Sequence, residues 1–101
     1  MDIISSDTNV WFDFHLISGV SLPFRLPVSY IMSRDAMRAE IVSPPELLEK
    51  LEKLGLRGVE LSYKELFYVE GLKRKYVKLS AFDREALSIA KKRNILLLTG
   101  D

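Results

Sequence analysis

The sequence contains no cysteine, so disulfides, thiolate zinc sites and a cysteine nucleophile are all excluded. Histidine occurs once, at His15. A lone imidazole without visible partners reads as a structural or surface residue rather than as a ligand or base. No run approaches the roughly 18 apolar residues of a membrane span, and the N-terminal Met1-Asp2-Ile3-Ile4 lacks the basic region of a signal peptide. The expectation is a cytoplasmic protein with no membrane partner. Charge of one sign is scarce too: the net charge is +1. That argues against coating nucleic acid by bulk charge, while leaving room for a local basic rim. No glycine-rich phosphate loop is present, and Ser5-Ser6 stands in no such frame.

What is present is a globular composition, with 48% hydrophobic and 29% charged residues over 101 positions. That length suits one domain with a single core. Ile3 to Ser6 read as a short strand stopping at Asp7. Asp7-Thr8-Asn9 then offer N-cap residues to a helix whose Val10, Trp11, Phe14 and Ile17 recur at helical spacing until Gly19. Trp11, Phe12 and Phe14 read as core rather than as a base-stacking platform. Pro23 and Pro27 mark a loop, and Val28 to Met32 could be strand or helix. Ser33 caps a short helix, Arg34 to Val42, with Glu40 near its end.

Ser43-Pro44-Pro45-Glu46 join a capping box to a helical proline. Leu47, Leu48, Leu51 and Leu54 follow as one stripe, with Glu46–Lys50 and Glu49–Lys53 spaced to pair, and Gly55 closes the helix. Val59 and Leu61, alternating with Gly58 and Glu60, predict a short strand. Ser62-Tyr63-Lys64-Glu65 form a second capping box, opening a helix through Leu66, Phe67 and Val69. The basic segment Gly71 to Lys78 marks a helix end and a loop. Ser80-Ala81-Phe82-Asp83 open the last helix, which buries Phe82, Ala86, Ile89 and Ala90 and ends in Lys91-Lys92-Arg93. Asn94 turns the chain, and the continuous apolar run Ile95 to Leu98 predicts a strand covered on both faces. Alternating strands and helices imply an α/β fold with a parallel sheet.

In such a sheet, functional residues gather beyond the carboxyl ends of the strands. Asp7 and Asp101 each follow an apolar strand, and neighbouring strand ends would lie roughly 5 Å apart. A crossover helix brings its N-terminus back to the same edge, which adds Asp83. Each acid also has a plainer reading: Asp7 as a helix cap, Asp83 as a capping-box member, Asp101 as a frayed end. Local pattern does not place Glu40. Clustered carboxylates repel unless a cation neutralises them, and hard oxygen ligands suit Mg²⁺ or Mn²⁺. With no nucleophile–histidine pair in view, metal-assisted phosphodiester hydrolysis follows more readily than carbonyl chemistry. Lys73, Arg74, Lys75 and Lys78 are either a solvated surface or a phosphate-contacting rim.

These residues resemble a known family. Asp7-Thr8-Asn9-Val10-Trp11 after a strand is similar to the opening of PIN-domain nucleases. Leu79-Ser80-Ala81-Phe82-Asp83, followed by Ala86 and Ala90, resembles their third-acid helix, and Leu97-Leu98-Thr99-Gly100-Asp101 their fourth-acid strand end. Glu40 is similar in position to their second acid. The resemblance implies a three-layer α/β/α fold with a central, mainly parallel sheet, and a metal-dependent endoribonuclease acting on RNA. It implies Asp7, Glu40, Asp83 and Asp101 as the metal-site acids, with Asp7 and Asp101 as direct ligands and Glu40 and Asp83 binding metal or orienting water. It also implies the toxin of a toxin–antitoxin pair, with an antitoxin partner and a homodimeric state. PIN domains normally continue past this aspartate with another helix and strand. Against that pattern, residues 1–101 are a single PIN-like domain lacking its C-terminal unit.

Two other functions compete with the enzyme. One is a non-catalytic PIN-like module that holds RNA or a protein partner. The other is phosphoryl transfer through an aspartyl phosphate, whose haloacid-dehalogenase pattern wants an aspartate where Asn9 stands.

Overall fold

The computed structural model describes residues 2–100. Four strands, β1 (Asp2–Ser6), β2 (Val28–Ser33), β3 (Arg57–Val59) and β4 (Leu96–Leu98), form one sheet in the order β3-β2-β1-β4, and every pairing is parallel. Five α-helices connect them among the described residues: α1 (Thr8–Leu16), α2 (Arg34–Glu40), α3 (Pro45–Leu54), α4 (Tyr63–Lys75) and α5 (Ala81–Arg93). The arrangement is compatible with a three-layer α/β/α fold.

Adjacent residues of the central strand show how the layers form, because side chains alternate between sheet faces. Ser5 Oγ donates to the Ala86 carbonyl of α5 at 3.0 Å. Ser6 Oγ faces the other way, accepting Trp11 Nε1 of α1 at 3.0 Å and donating to the Ile31 carbonyl at 3.2 Å. Both serines are fully buried, and these bonds satisfy them. On the α1 side Trp11 is the centre of the core, stacked on Phe24 at 5.2 Å and edge-on to Tyr30 at 5.3 Å. Tyr30 and Met32 join that cluster with Val10, Leu47 and Leu51. Trp11 is thus a core residue, as its helical spacing suggests.

Several local expectations shift. α2 ends at Glu40 rather than Val42. The N-cap of α3 is Pro44, which offers no side-chain acceptor, so Ser43 stands one residue too early to close a capping box. The Glu49–Lys53 pair forms at 3.1 Å. β3 lies two residues earlier than the alternation around Val59 and Leu61 suggests, in register with Ile31 to Ser33. β4 is an edge strand with Leu96 74% exposed, so the run Ile95 to Leu98 is not covered on both faces. Leu66 and Phe67 lie on α4 as expected, and both are exposed. No helix of the described residues is long and apolar enough to cross a membrane.

Candidate acidic site at the β1–β4 edge

The chain runs from β1 outward through β2 to β3, then returns across the sheet to place β4 on the other side of β1. The strand order therefore reverses between β1 and β4, and crevices at such reversals are where open α/β sheets bind ligands. Asp7 stands at the carboxyl end of this junction. Its backbone N–H donates to the Leu98 carbonyl at 3.2 Å, extending the β1–β4 ladder by one bond. Its side chain caps α1 by accepting the Val10 amide at 3.0 Å, and the same oxygen, Oδ1, accepts the Gly100 amide at 3.2 Å. The helix-cap reading of Asp7 is therefore correct. The cap also pins the carboxylate against the segment that follows β4.

Gly100 is required by that contact. A β-carbon there would lie 2.5 Å from Asp13 Oδ2 and 2.7 Å from the Val10 nitrogen, so no larger residue allows so close an approach. Asp13 is the acid that the sequence reading missed. It lies one helical turn beyond Asn9 on α1, both are exposed, and its carboxylate reaches over Gly100.

Asp7 is buried, at 8% exposure. Burial pushes its carboxyl above the ordinary aspartate value, the Val10 and Gly100 amides pull it back, and the charges of Asp83 and Asp13 push it up again. Asp83 is thus close enough to oppose the ionisation of Asp7. It also closes the α5 capping box, its Oδ2 accepting the Ser80 amide at 3.3 Å while Ser80 Oγ accepts the Asp83 amide at 3.1 Å. The capping-box reading of Asp83 is therefore correct.

Glu40 reaches this edge by a route the sequence does not disclose. Its Oε1 accepts the Thr8 hydroxyl at 2.7 Å, next in chain to Asp7. Glu85 of α5 accepts the Ser33 hydroxyl at the end of β2, adding a second acid that pattern reading missed. Asp101 lies outside the described residues. Among those described, no three Asp, Glu or His side chains are grouped closely enough to hold one metal ion.

The basic segment sits at the same end. α4 and α5 pack antiparallel: Arg93 at the end of α5 grips Glu65 at the start of α4, while Arg84 near the start of α5 donates to the Tyr76 carbonyl beyond α4. Lys73, Arg74 and Lys75 fill the last turn of α4, beside the helix start that carries Asp83. All three are exposed, and Lys73 pairs with Glu70 at 3.1 Å. His15 is exposed and remote in role from these acids. No family model, curated protein or solved structure matches this chain.

Proposed function

We propose that this chain is a divalent-metal-dependent ribonuclease of PIN-like character, acting at the carboxylates gathered beside the β1–β4 junction. The observation that carries the reading is Asp7: a buried carboxylate at the strand-order reversal, its ionisation opposed by Asp83 and Asp13. A buried acid that resists ionisation at a ligand-binding edge is a costly arrangement, and a bound cation offsets that cost. The donor set fits a hard ion, since it is all oxygen, with neither sulfur nor imidazole. By the PIN resemblance Asp7 and Asp101 would hold the ion directly, with Glu40 and Asp83 orienting its water. Bound there, Mg²⁺ or Mn²⁺ would supply positive charge to a phosphodiester and make water a stronger nucleophile. Thr8 orients Glu40, the Ser80 capping box orients Asp83, and the Val10 and Gly100 amides hold Asp7 in place. Lys73, Arg74 and Lys75 offer a basic surface for the RNA backbone at the same end. The PIN resemblance extends this proposal to a toxin with an antitoxin partner and a homodimeric state.

The test is cleavage of RNA. Activity should require Mg²⁺ or Mn²⁺, stop with EDTA, and fall at least ~100-fold in Asp7→Asn or Asp83→Asn. A second reading, a module that holds RNA without cutting it, is favoured by one observation: Asp7 Oδ1 and Asp83 Oδ2 are already occupied as caps. Salt-sensitive RNA binding without cleavage under any metal would select that reading.

A further inference from the structure

A cavity of about 570 Å³ opens at the far edge of the sheet, where α2 and α3 meet β3. Arg34 and Arg38, one turn apart on α2, line it together with Arg57 of β3. Glu52 is the one carboxylate in its wall, so the lining carries three guanidinium groups against one acid. Arg34 is partly committed, donating to Glu60 at 3.0 Å. Neither Arg38 nor Arg57 has an ion-pair partner among the described residues. Met37 and Leu56 lie beneath the cavity almost fully buried, and Leu48 beside them is half-buried.

The convergence depends on Gly58. A β-carbon at that position would lie 2.8 Å from Met37 Sδ and 3.2 Å from Arg34 Cα. Glycine there lets α2 settle onto β3, which brings the arginines of the helix down to the arginine of the strand. Unpaired guanidinium groups repel one another, so an arrangement that gathers them calls for an anion. Arg34 is offset by Glu60, and Glu52 offsets one of the other two, so the match to a phosphate monoester rests on donors: the two guanidinium forks of Arg38 and Arg57 face its three acceptor oxygens. A single carboxylate offers fewer acceptors, and guanidinium forks bind phosphate oxygens in pairs.

We propose that this cavity binds the terminal phosphate monoester of a nucleotide, held by Arg38 and Arg57. The assignment does not rest on the ribonuclease reading, because the cavity shares no residue with the acidic edge at Asp7. The phosphate could belong to a free mononucleotide or to the phosphorylated end of an RNA chain; the chemistry is the same.

The test titrates adenosine monophosphate into isotope-labelled protein and follows the amide resonances of Met37, Arg57, Gly58 and Val59. Saturable shifts are expected with adenosine monophosphate and not with adenosine. The double variant Arg38→Gln, Arg57→Gln should weaken binding at least about tenfold, as loss of two charge-assisted contacts requires. Both side chains are exposed, so the fold should survive; if resonance dispersion is lost, the two single variants are read instead. Asp7→Asn should leave this binding unchanged even where it abolishes cleavage, which separates the two sites. A second titration compares a short oligoribonucleotide with and without a terminal phosphate. Binding of only the phosphorylated oligonucleotide supports the site and assigns it to an RNA end. Equal binding of adenosine and its monophosphate, unchanged affinity in the arginine variants, or tighter binding of an acidic peptide than of any nucleotide would each overturn the assignment.

Discussion

The Thr8 hydroxyl donates to Glu40 Oε1 at 2.7 Å, joining the residue after Asp7 to the last residue of α2. Through this one bond an acid 32 positions away reaches the β1 edge. Thr8 is buried and Glu40 half-buried, so the bond is partly shielded from water. Thr8→Val keeps the shape and removes the donor. It should cost about 1 kcal/mol in denaturant unfolding, and weaken metal binding without removing any carboxylate. Wild-type metal affinity in Thr8→Val would show that Glu40 takes no part.

Asp7 and Glu65 should titrate against stability with opposite signs. Asp7 has its folded pKa raised by burial, so the folded state retains a proton that the unfolded state releases. Metal-free stability should therefore fall as pH rises from the ordinary value of 3.8 through the raised one. Asparagine caps a helix as well as aspartate does. Asp7→Asn should then be more stable than wild type at neutral pH without metal, and the gap should close in acid. Melting curves at several pH values in EDTA check this.

Glu65 is 3% exposed and gripped by Arg93, with Nε to Oε2 at 2.7 Å and Nη2 to Oε1 at 3.2 Å. The guanidinium holds its carboxyl below the ordinary glutamate value. That stability is present above the ordinary value and is lost as pH falls through the depressed one. Breaking a fully buried pair costs about 3–5 kcal/mol. The Arg93 side chain is 35% exposed. Arg93→Gln should therefore cost less, roughly 2–3 kcal/mol. Urea unfolding at neutral and acid pH should show the penalty shrinking in acid.

The basic turn gives a prediction for RNA. Reversing charge at Lys73, Arg74 and Lys75 should weaken RNA binding and flatten its dependence on salt. The fold should be unaffected, because all three are exposed. An unchanged salt slope would remove this face from the RNA path.

Much of this arrangement was legible in the sequence because its acids also serve the local chemistry of helix capping. Asp7 and Asp83 are helix caps, and caps announce themselves by type and spacing. Ser62, Gly55 and Asn94 were readable for the same reason. Glu40 and Glu85 were not, since each reaches the edge by a bond to a residue distant in sequence, Thr8 and Ser33 respectively. Asp13 depended on how closely Gly100 approaches α1, which no local pattern encodes. The position of β3 was set by pairing with β2 and by the fit of Gly58 under Met37, against its own alternation. For β4, a continuous apolar run predicts cover on both faces, whereas strand order, which no local run encodes, places it at an edge.

If the carboxylates around Asp7 form a divalent-cation site, metal should stabilise the folded chain. The most direct measurement is the melting temperature during titration with Mn²⁺ or Mg²⁺, for the wild type and for Asp7→Asn side by side. Ligand binding to the folded state alone adds about 2.7 kcal/mol at a hundredfold excess over Kd. The account predicts a saturable rise in the wild type and loss of most of that rise in Asp7→Asn, with the variant folded throughout. A melting curve unmoved by millimolar metal, or an equal rise in both proteins, would contradict it.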